Sequence, residues 1–285
     1  MAKLNYSFFF FITLGFYLIF IGYPIASLIY YSFTNLTISN LTNPSFNGVQ
    51  NYFKLFSDER FWYNFFFTLE LMVYSVFLSL LIALGVSSLL VSDKIIMKDY
   101  LTLTFLLPWI TPIVAWAMSV RYLFSPGSFF SVFLKKILGY SLNVFSDKVG
   151  AKIFLITNLV WIGTPVATLF LISAFLSIPI NVIEAAKLDG ASSFSLFKNI
   201  IFPLIKKKFL IVFVLTVGSI IMGAEAILAF TGGGPGYATE TLAIRMFTEG
   251  RMFYNFGYAS AIGLFLLIVS AILILIMASL MRERV

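Results

Sequence analysis

Cysteine and histidine are both missing from these 285 residues. Without cysteine there is no disulfide, no thiolate nucleophile and no iron–sulfur cluster. Without histidine, imidazole-based zinc sites and histidine-dependent catalytic triads fall away too. Charge is scarce: Asp, Glu, Lys and Arg make up 11% of the chain, against about a quarter in a soluble domain. Hydrophobic residues fill 60%, with 34 phenylalanines, and the mean hydropathy is +0.99. Such a chain belongs in a bilayer. Its net charge of +7 is scattered over short segments, so it sets topology and meets anionic headgroups rather than marking a nucleic-acid footprint. No catalytic constellation or metal-ligating cluster stands out, and an enzyme reading has nothing to rest on.

A helix needs about 20 mostly apolar residues to cross a bilayer. Six segments meet that length, Ser7–Phe33, Phe61–Val91, Tyr100–Phe124, Ile153–Leu176, Phe209–Phe230 and Phe253–Met281, which predicts an all-α membrane protein with one transmembrane domain over 1–285. The first segment has an apolar core too long for a secretory signal and no A-x-A site after it, so it reads as a retained span. Six spans put both termini on one side. With the termini inside, the cytoplasmic set is Lys3, Lys94, Lys98, Lys187, Lys198, Lys206, Lys207, Lys208, Arg282 and Arg284. The outer set is Lys54, Arg60, Arg121, Lys135, Lys136, Lys148, Lys152, Arg245 and Arg251. The counts are close, but the first set is packed into shorter loops and holds the tightest clusters, so cytoplasmic termini are expected.

That topology puts a polar, helix-forming stretch, 178–208, in the cytoplasm. Pro179 ends or restarts a helix. Glu184-Ala185-Ala186-Lys187-Leu188 are strong helix formers. Asp189-Gly190 supplies a break, because glycine accepts positive φ at a helix end. Ser192 or Ser193 can cap a second short helix reaching about Phe202, with Pro203 opening the fifth span. An amphipathic helix lying on lipid is one reading. The small face at Ala185, Ala186, Gly190 and Ala191 favours the other, close approach of a second protein.

Three further features draw attention. Gly232-Gly233-Gly234-Pro235-Gly236 lacks the Gly-Lys-Ser/Thr ending of a phosphate-binding Walker loop, and no other stretch fits that pattern. Glu70 and Glu225 lie in apolar spans, where a carboxylate is costly and usually functional. They define an alternative, an ATPase-independent secondary transporter, although neither has Lys or Arg within a helical turn in sequence. Thr216, Ser219, Ile220 and Gly223 follow i, i+3, i+4, i+7 and share one helix face, with Glu225 about 180° from Thr216. They line a path or merely glue helices together. In the fourth span Asn158, Trp161, Thr164, Pro165 and Thr168 form a polar stripe, with Trp161 a candidate stacking platform.

Glu184-Ala185-Ala186, three residues, Gly190, nine residues, Ile200, and Pro203 resemble the cytoplasmic signature of binding-protein-dependent ABC importer permeases, with Phe202 where leucine is usual. Phe46-x-Gly48, Asn51-Tyr52, Asp58 and Phe61-Trp62, the third and fourth spans, and TGGGPGYATETLAIRMF are similar to carbohydrate-uptake permeases of the maltose and glycerol-3-phosphate type. An asparagine common after the loop glycine is absent; Ser128 and Phe129 follow Gly127. The resemblance implies an ABC importer permease fold in a prokaryotic cell membrane. It implies a homologous second permease subunit, two ATPase subunits carrying ATP and Mg, an extracellular substrate-binding protein and a sugar substrate, with no cofactor on this chain. Glu184, Ala185, Ala186, Asp189 and Gly190 would form the coupling helix that docks on the ATPase. Gly233, Gly234 and Pro235 would contact the binding protein. Alignment on Glu184 and Pro203 puts sugar contacts on the Thr216–Gly223 face and at Gly163 and Val166, a different face of the fourth span from the polar stripe.

Overall fold

The computed structural model describes residues 6–91, 98–139, 144–221 and 223–281; Lys3, Lys94, Arg282 and Arg284 lie outside the described residues. Among those described, regular structure is helical, apart from one isolated bridge between Thr34 and Phe46. The chain opens with α1 (Tyr6–Tyr17), a π-helical turn Leu18–Gly22 and α2 (Tyr23–Ser32). After α3 (Gln50–Ser57) comes α4 (Glu59–Val91), whose 33 residues reach about 50 Å. Then follow α5 (Lys98–Ile110), α6 (Ile113–Leu123), α7 (Phe129–Leu138) and α8 (Lys148–Leu176). The polar stretch holds α9 (Ile180–Leu188) and α10 (Ser193–Leu196). Last come α11 (Phe202–Ile221), α12 (Ala224–Phe230), α13 (Leu242–Arg251) and α14 (Phe256–Met281).

Among the described residues, four helical stretches are long and apolar enough to cross a membrane: Phe9–Ser32, Glu59–Val91, Lys148–Leu176 and Phe256–Met277. Two bent pairs bring the number to six. The third expected span is α5 and α6 meeting at 91°, because Pro112 has no N–H to donate and disfavours helix at Thr111 before it. The fifth is α11 and α12, meeting at 55°. A second departure lies upstream. The helix begun at Ser193 does not stop near Phe202 but runs through a π-helical turn, Phe197–Ile201, straight into α11. The wider π turn leaves room for the ring and missing donor of Pro203.

The chain divides into two compact units. One combines residues up to Phe65 with Leu242–Val269. Its core gathers Leu55, Phe61, Leu242, Tyr258, Ala261 and Ile262. Asn51 ties it together by donating its side-chain amide to the carbonyls of Ser32 (2.9 Å) and Thr34 (2.8 Å). The Asp58 carboxylate accepts from Arg245 and from the Tyr258 hydroxyl, both at 3.1 Å. Arg245 also pairs with Glu249 at 2.9 Å, and Glu249 accepts from Asn255 at 3.0 Å. Gly257 is forced: a Cβ there would lie 2.2 Å from the Thr34 carbonyl oxygen.

The other unit spans Phe66–Thr241 and continues from Ser270. Ser75, Ser79, Ala83 and Ser87 recur every fourth residue along α4 and are fully buried, a seam of small side chains that lets helices approach closely. Helix α8 meets that seam at Gly163, where a Cβ would stand 3.3 Å from the Ser79 hydroxyl. Helix α11 packs along α8, and α12 along α6.

Candidate functional site

The polar stretch folds into a tight, outward turn. Pro179 stands immediately before α9. Gly190 takes φ +79°, and the helix end closes twice: Gly190 N–H donates to Lys187 at 3.1 Å and Ala191 N–H to Ala186 at 3.0 Å. This paired pattern needs a left-handed residue at Gly190, which glycine adopts without cost. Ser192 then caps α10 by accepting from Ser195 N–H at 3.3 Å. Glu184, Ala185, Asp189 and Gly190 are exposed. Ala186 is buried within the chain, so it supports the turn from beneath. At the tip the apolar Leu188 is 88% exposed and Phe194 is 73% exposed. Among the described residues, no ion pair engages Glu184, Lys187 or Asp189.

The expected path residues separate. Thr216 and Ile220 are buried, and the Thr216 hydroxyl donates to its own helix at Val212, 2.8 Å away. Ser219 is exposed, beside Gly218, where an added Cβ would meet nothing within 4 Å. The shared face therefore holds as a spacing but not as a surface: two of its members pack inward. Gly223 sits at the break, and a Cβ there would lie 2.8 Å from the Ser219 carbonyl oxygen, so its smallness serves the bend. That bend also removes the basis for placing Glu225 opposite Thr216, since one helical wheel does not run through it.

In α8 the polar stripe turns inward. Asn158, Thr164, Pro165 and Thr168 are buried, and the Asn158, Thr164 and Thr168 side chains donate to carbonyls of their own helix. Trp161 leaves that stripe, half-exposed and stacked on Trp116 with ring centroids 6.1 Å apart. Gly163 is taken up by the crossing with α4, and Val166 is half-buried.

The glycine-rich segment forms a loop pinned at its base. The Thr239 hydroxyl lies 2.7 Å from both the Thr231 hydroxyl and the Gly234 carbonyl. Gly233 is buried and Gly234 and Pro235 are half-buried, whereas Gly232, Gly236 and Tyr237 are exposed at the tip. Tyr237 has φ +72°, a left-handed conformation uncommon outside glycine. Nothing in its local sequence pattern marks Tyr237 as prominent.

The two membrane acids differ. Glu70 pairs with Lys152 at 3.0 Å, and the Lys152 ammonium also lies 4.7 Å from the Phe67 ring centroid. The partner is 82 residues away, out of reach of any local sequence pattern. Glu225 is exposed and makes no ion pair among the described residues.

Residues 75–283 match the family described as binding-protein-dependent transport system inner membrane component. The chain is 30% identical over 261 residues to the trehalose/maltose transport system permease protein of Thermococcus litoralis, covering 89% of this chain and 86% of that one. It is 27% identical over 248 residues to the sulfoquinovosyl glycerol transport system permease protein of Agrobacterium fabrum, covering 85% and 79%. In fold it is similar to a chain of a bacterial alginate ABC transporter solved with an alginate pentasaccharide-bound periplasmic protein. There the TM-score is 0.80, with 20% identity, over 97% of this chain and 93% of that one.

Proposed function

The chain belongs to the binding-protein-dependent inner membrane transport components, and from that premise we infer how its parts work in an ATP-driven sugar importer, of which it is a membrane-spanning permease subunit. It pairs with a homologous second permease and two ATPase subunits, which hold ATP and Mg, and it receives its sugar from an extracellular binding protein. Both termini and the 178–208 stretch face the cytoplasm. ATP closes the ATPase pair, the α9–α10 turn carries that motion to the spans, and the cavity turns outward.

One observation carries this reading. The turn at Glu184–Ala191 is closed by its own backbone bonds, yet Leu188 within it and Phe194 in the helix that follows stand bare. A closed polar turn with exposed apolar tips suits a protein joint better than a loop in water. Glu184 and Asp189 add charge at its rim. Of the path residues, Ser219 and Trp161 have the exposure to meet a sugar, by hydrogen bonding and by stacking; Gly163 and Gly223 shape the helices that carry them. Tyr237, at the tip of the Gly233-Gly234-Pro235 loop, offers a contact to the binding protein. The Glu70–Lys152 pair weighs against proton coupling, because it leaves one of the two acids already neutralised.

The assembled transporter in proteoliposomes tests the reading. Sugar uptake should require ATP on the ATPase side and binding protein on the other, and should ignore an imposed proton gradient. Uptake driven by the gradient alone would favour the secondary transporter.

A further inference from the structure

Helix α3 turns three faces in three directions. Asn51, Tyr52 and Leu55 point inward: Leu55 is fully buried, Asn51 ties the carbonyls of Ser32 and Thr34, and the Tyr52 hydroxyl lies 2.7 Å from that of Ser32. The other residues are exposed, and they fall into two sets with the same spacing. Gln50, Lys54 and Ser57 follow i, i+4, i+7 and are polar. Val49, Phe53 and Phe56 follow i, i+4, i+7 and are apolar, with Val49 51%, Phe53 72% and Phe56 47% exposed. At 100° per residue each set covers an arc of about 60°, and the two lie side by side. The Phe53 N–H donates to the Val49 carbonyl at 3.1 Å, so Val49 belongs to the same helical turn.

A boundary between polar and apolar exposure therefore runs along the helix axis. Water alone would leave the apolar set bare, and hydrocarbon alone would strand the polar one. Both sets are satisfied where the helix lies in the plane at which water meets lipid. The place of α3 in the chain puts it at that plane. One residue, Asp58, with φ −85° and ψ 110°, separates it from α4, which is long and apolar enough to cross the membrane. The first turn of α4 shows Trp62 and Tyr63 at 37% and 42% exposure, the aromatic types that gather at headgroup level. Trp62 reaches back to α3: its indole N–H donates to the Phe56 carbonyl at 2.9 Å, and the two rings stand 6.1 Å apart. Phe56 thus shares the depth of a belt tryptophan. On the polar side the Lys54 ammonium lies 4.4 Å from the Tyr258 ring centroid, turned away from the apolar set.

We propose that α3 is an interfacial helix, lying along the bilayer surface where α4 enters, with Val49, Phe53 and Phe56 in the edge of the hydrocarbon and Gln50, Lys54 and Ser57 in water. Its partner is the lipid surface itself. Asp58, held by Arg245 and Tyr258, joins this anchor to the ion-pair cluster through a single residue, so the anchor sets the depth of the cluster in the membrane. The inference needs only that α4 crosses a membrane, and it is independent of how the importer is driven.

Spin labelling tests the placement, in a chain with no native cysteine to remove. Phe53→Cys and Gln50→Cys, both at exposed positions, each carry a nitroxide, and the assembled transporter is reconstituted in phosphatidylcholine vesicles. Collision rates with molecular oxygen and with a water-soluble nickel chelate give the depth of each label. The Phe53 label should lie about 5–10 Å below the headgroup boundary, and the Gln50 label at or above it. Nickel contact at Phe53 equal to that at Gln50 overturns the proposal. A Phe53 label shut off from both oxygen and nickel overturns it too, because protein of the assembly then covers that face. So does a Phe53 label that meets nickel in the vesicles and loses it only when the binding protein is added, which marks a protein docking surface instead of a lipid one.

Discussion

In the Asp58–Arg245–Glu249 cluster every charge meets its opposite inside the chain, and Tyr258 and Asn255 take up remaining bonds. In the Glu184–Ala191 turn no charge does so among the described residues, although two backbone hydrogen bonds close the turn on itself. Both are polar islands in an apolar chain. The first spends its polarity inward and holds a unit together. The second has a settled shape and unsatisfied sides, which is what a docking element requires.

The sharpest way to break the comparison is to remove Arg245. Its side chain is 9% exposed, and deleting one partner of a buried ion pair costs about 3–5 kcal/mol. Arg245→Met should leave little permease in membranes, measured by immunoblot; normal abundance would mean the cluster does not hold its unit. Gly190→Val should do the reverse. No atom lies within 4 Å of a Cβ there, so folding loses only the cost of a left-handed residue, about 1–2 kcal/mol. Abundance should stay near normal while uptake falls at least tenfold. If uptake survives with the protein intact, the turn is not a joint.

The open face of α11 gives a smaller contrast. Ser219→Trp, on the exposed side, should block sugar uptake without loss of protein, whereas Thr216→Val, whose hydroxyl serves its own helix, should change uptake little. Equal effects would merge the two faces that burial separates. Smallest of all should be Glu70→Gln. Its pair with Lys152 is part-exposed, worth about 1 kcal/mol or less, and ATP-driven uptake should persist. Loss of uptake there would restore the proton-coupled alternative.

What was legible in the sequence was local. Pro179, Gly190 and Ser192 are signals carried by single side chains and their own backbone, and each stands where its chemistry requires. The six apolar segments were legible for the same reason, as length and hydropathy. Helix faces were not. In a membrane helix lipid-facing and protein-facing sides are equally apolar, so the wheel that grouped Thr216 with Ser219 had no contrast to say which side is open. The wheel also assumed a straight helix through Gly223. Pairings such as Lys152 with Glu70 or Arg245 with Asp58 join residues far apart in sequence, and only the fold brings them together. Asp58 and Asn51 were recognised as family marks, and their role as internal ties emerged from the hydrogen bonds.

The central claim is that the exposed turn is the seat of the ATPase. Leu188→Cys places a single thiol at its tip, in a chain with no native cysteine. Inside-out vesicles are treated with a membrane-impermeant maleimide, with and without the ATPase subunits bound. The account predicts rapid labelling of the bare permease from the cytoplasmic face and protection once the ATPase is assembled. Labelling from the outside of intact cells, or labelling unaffected by the ATPase, would contradict it.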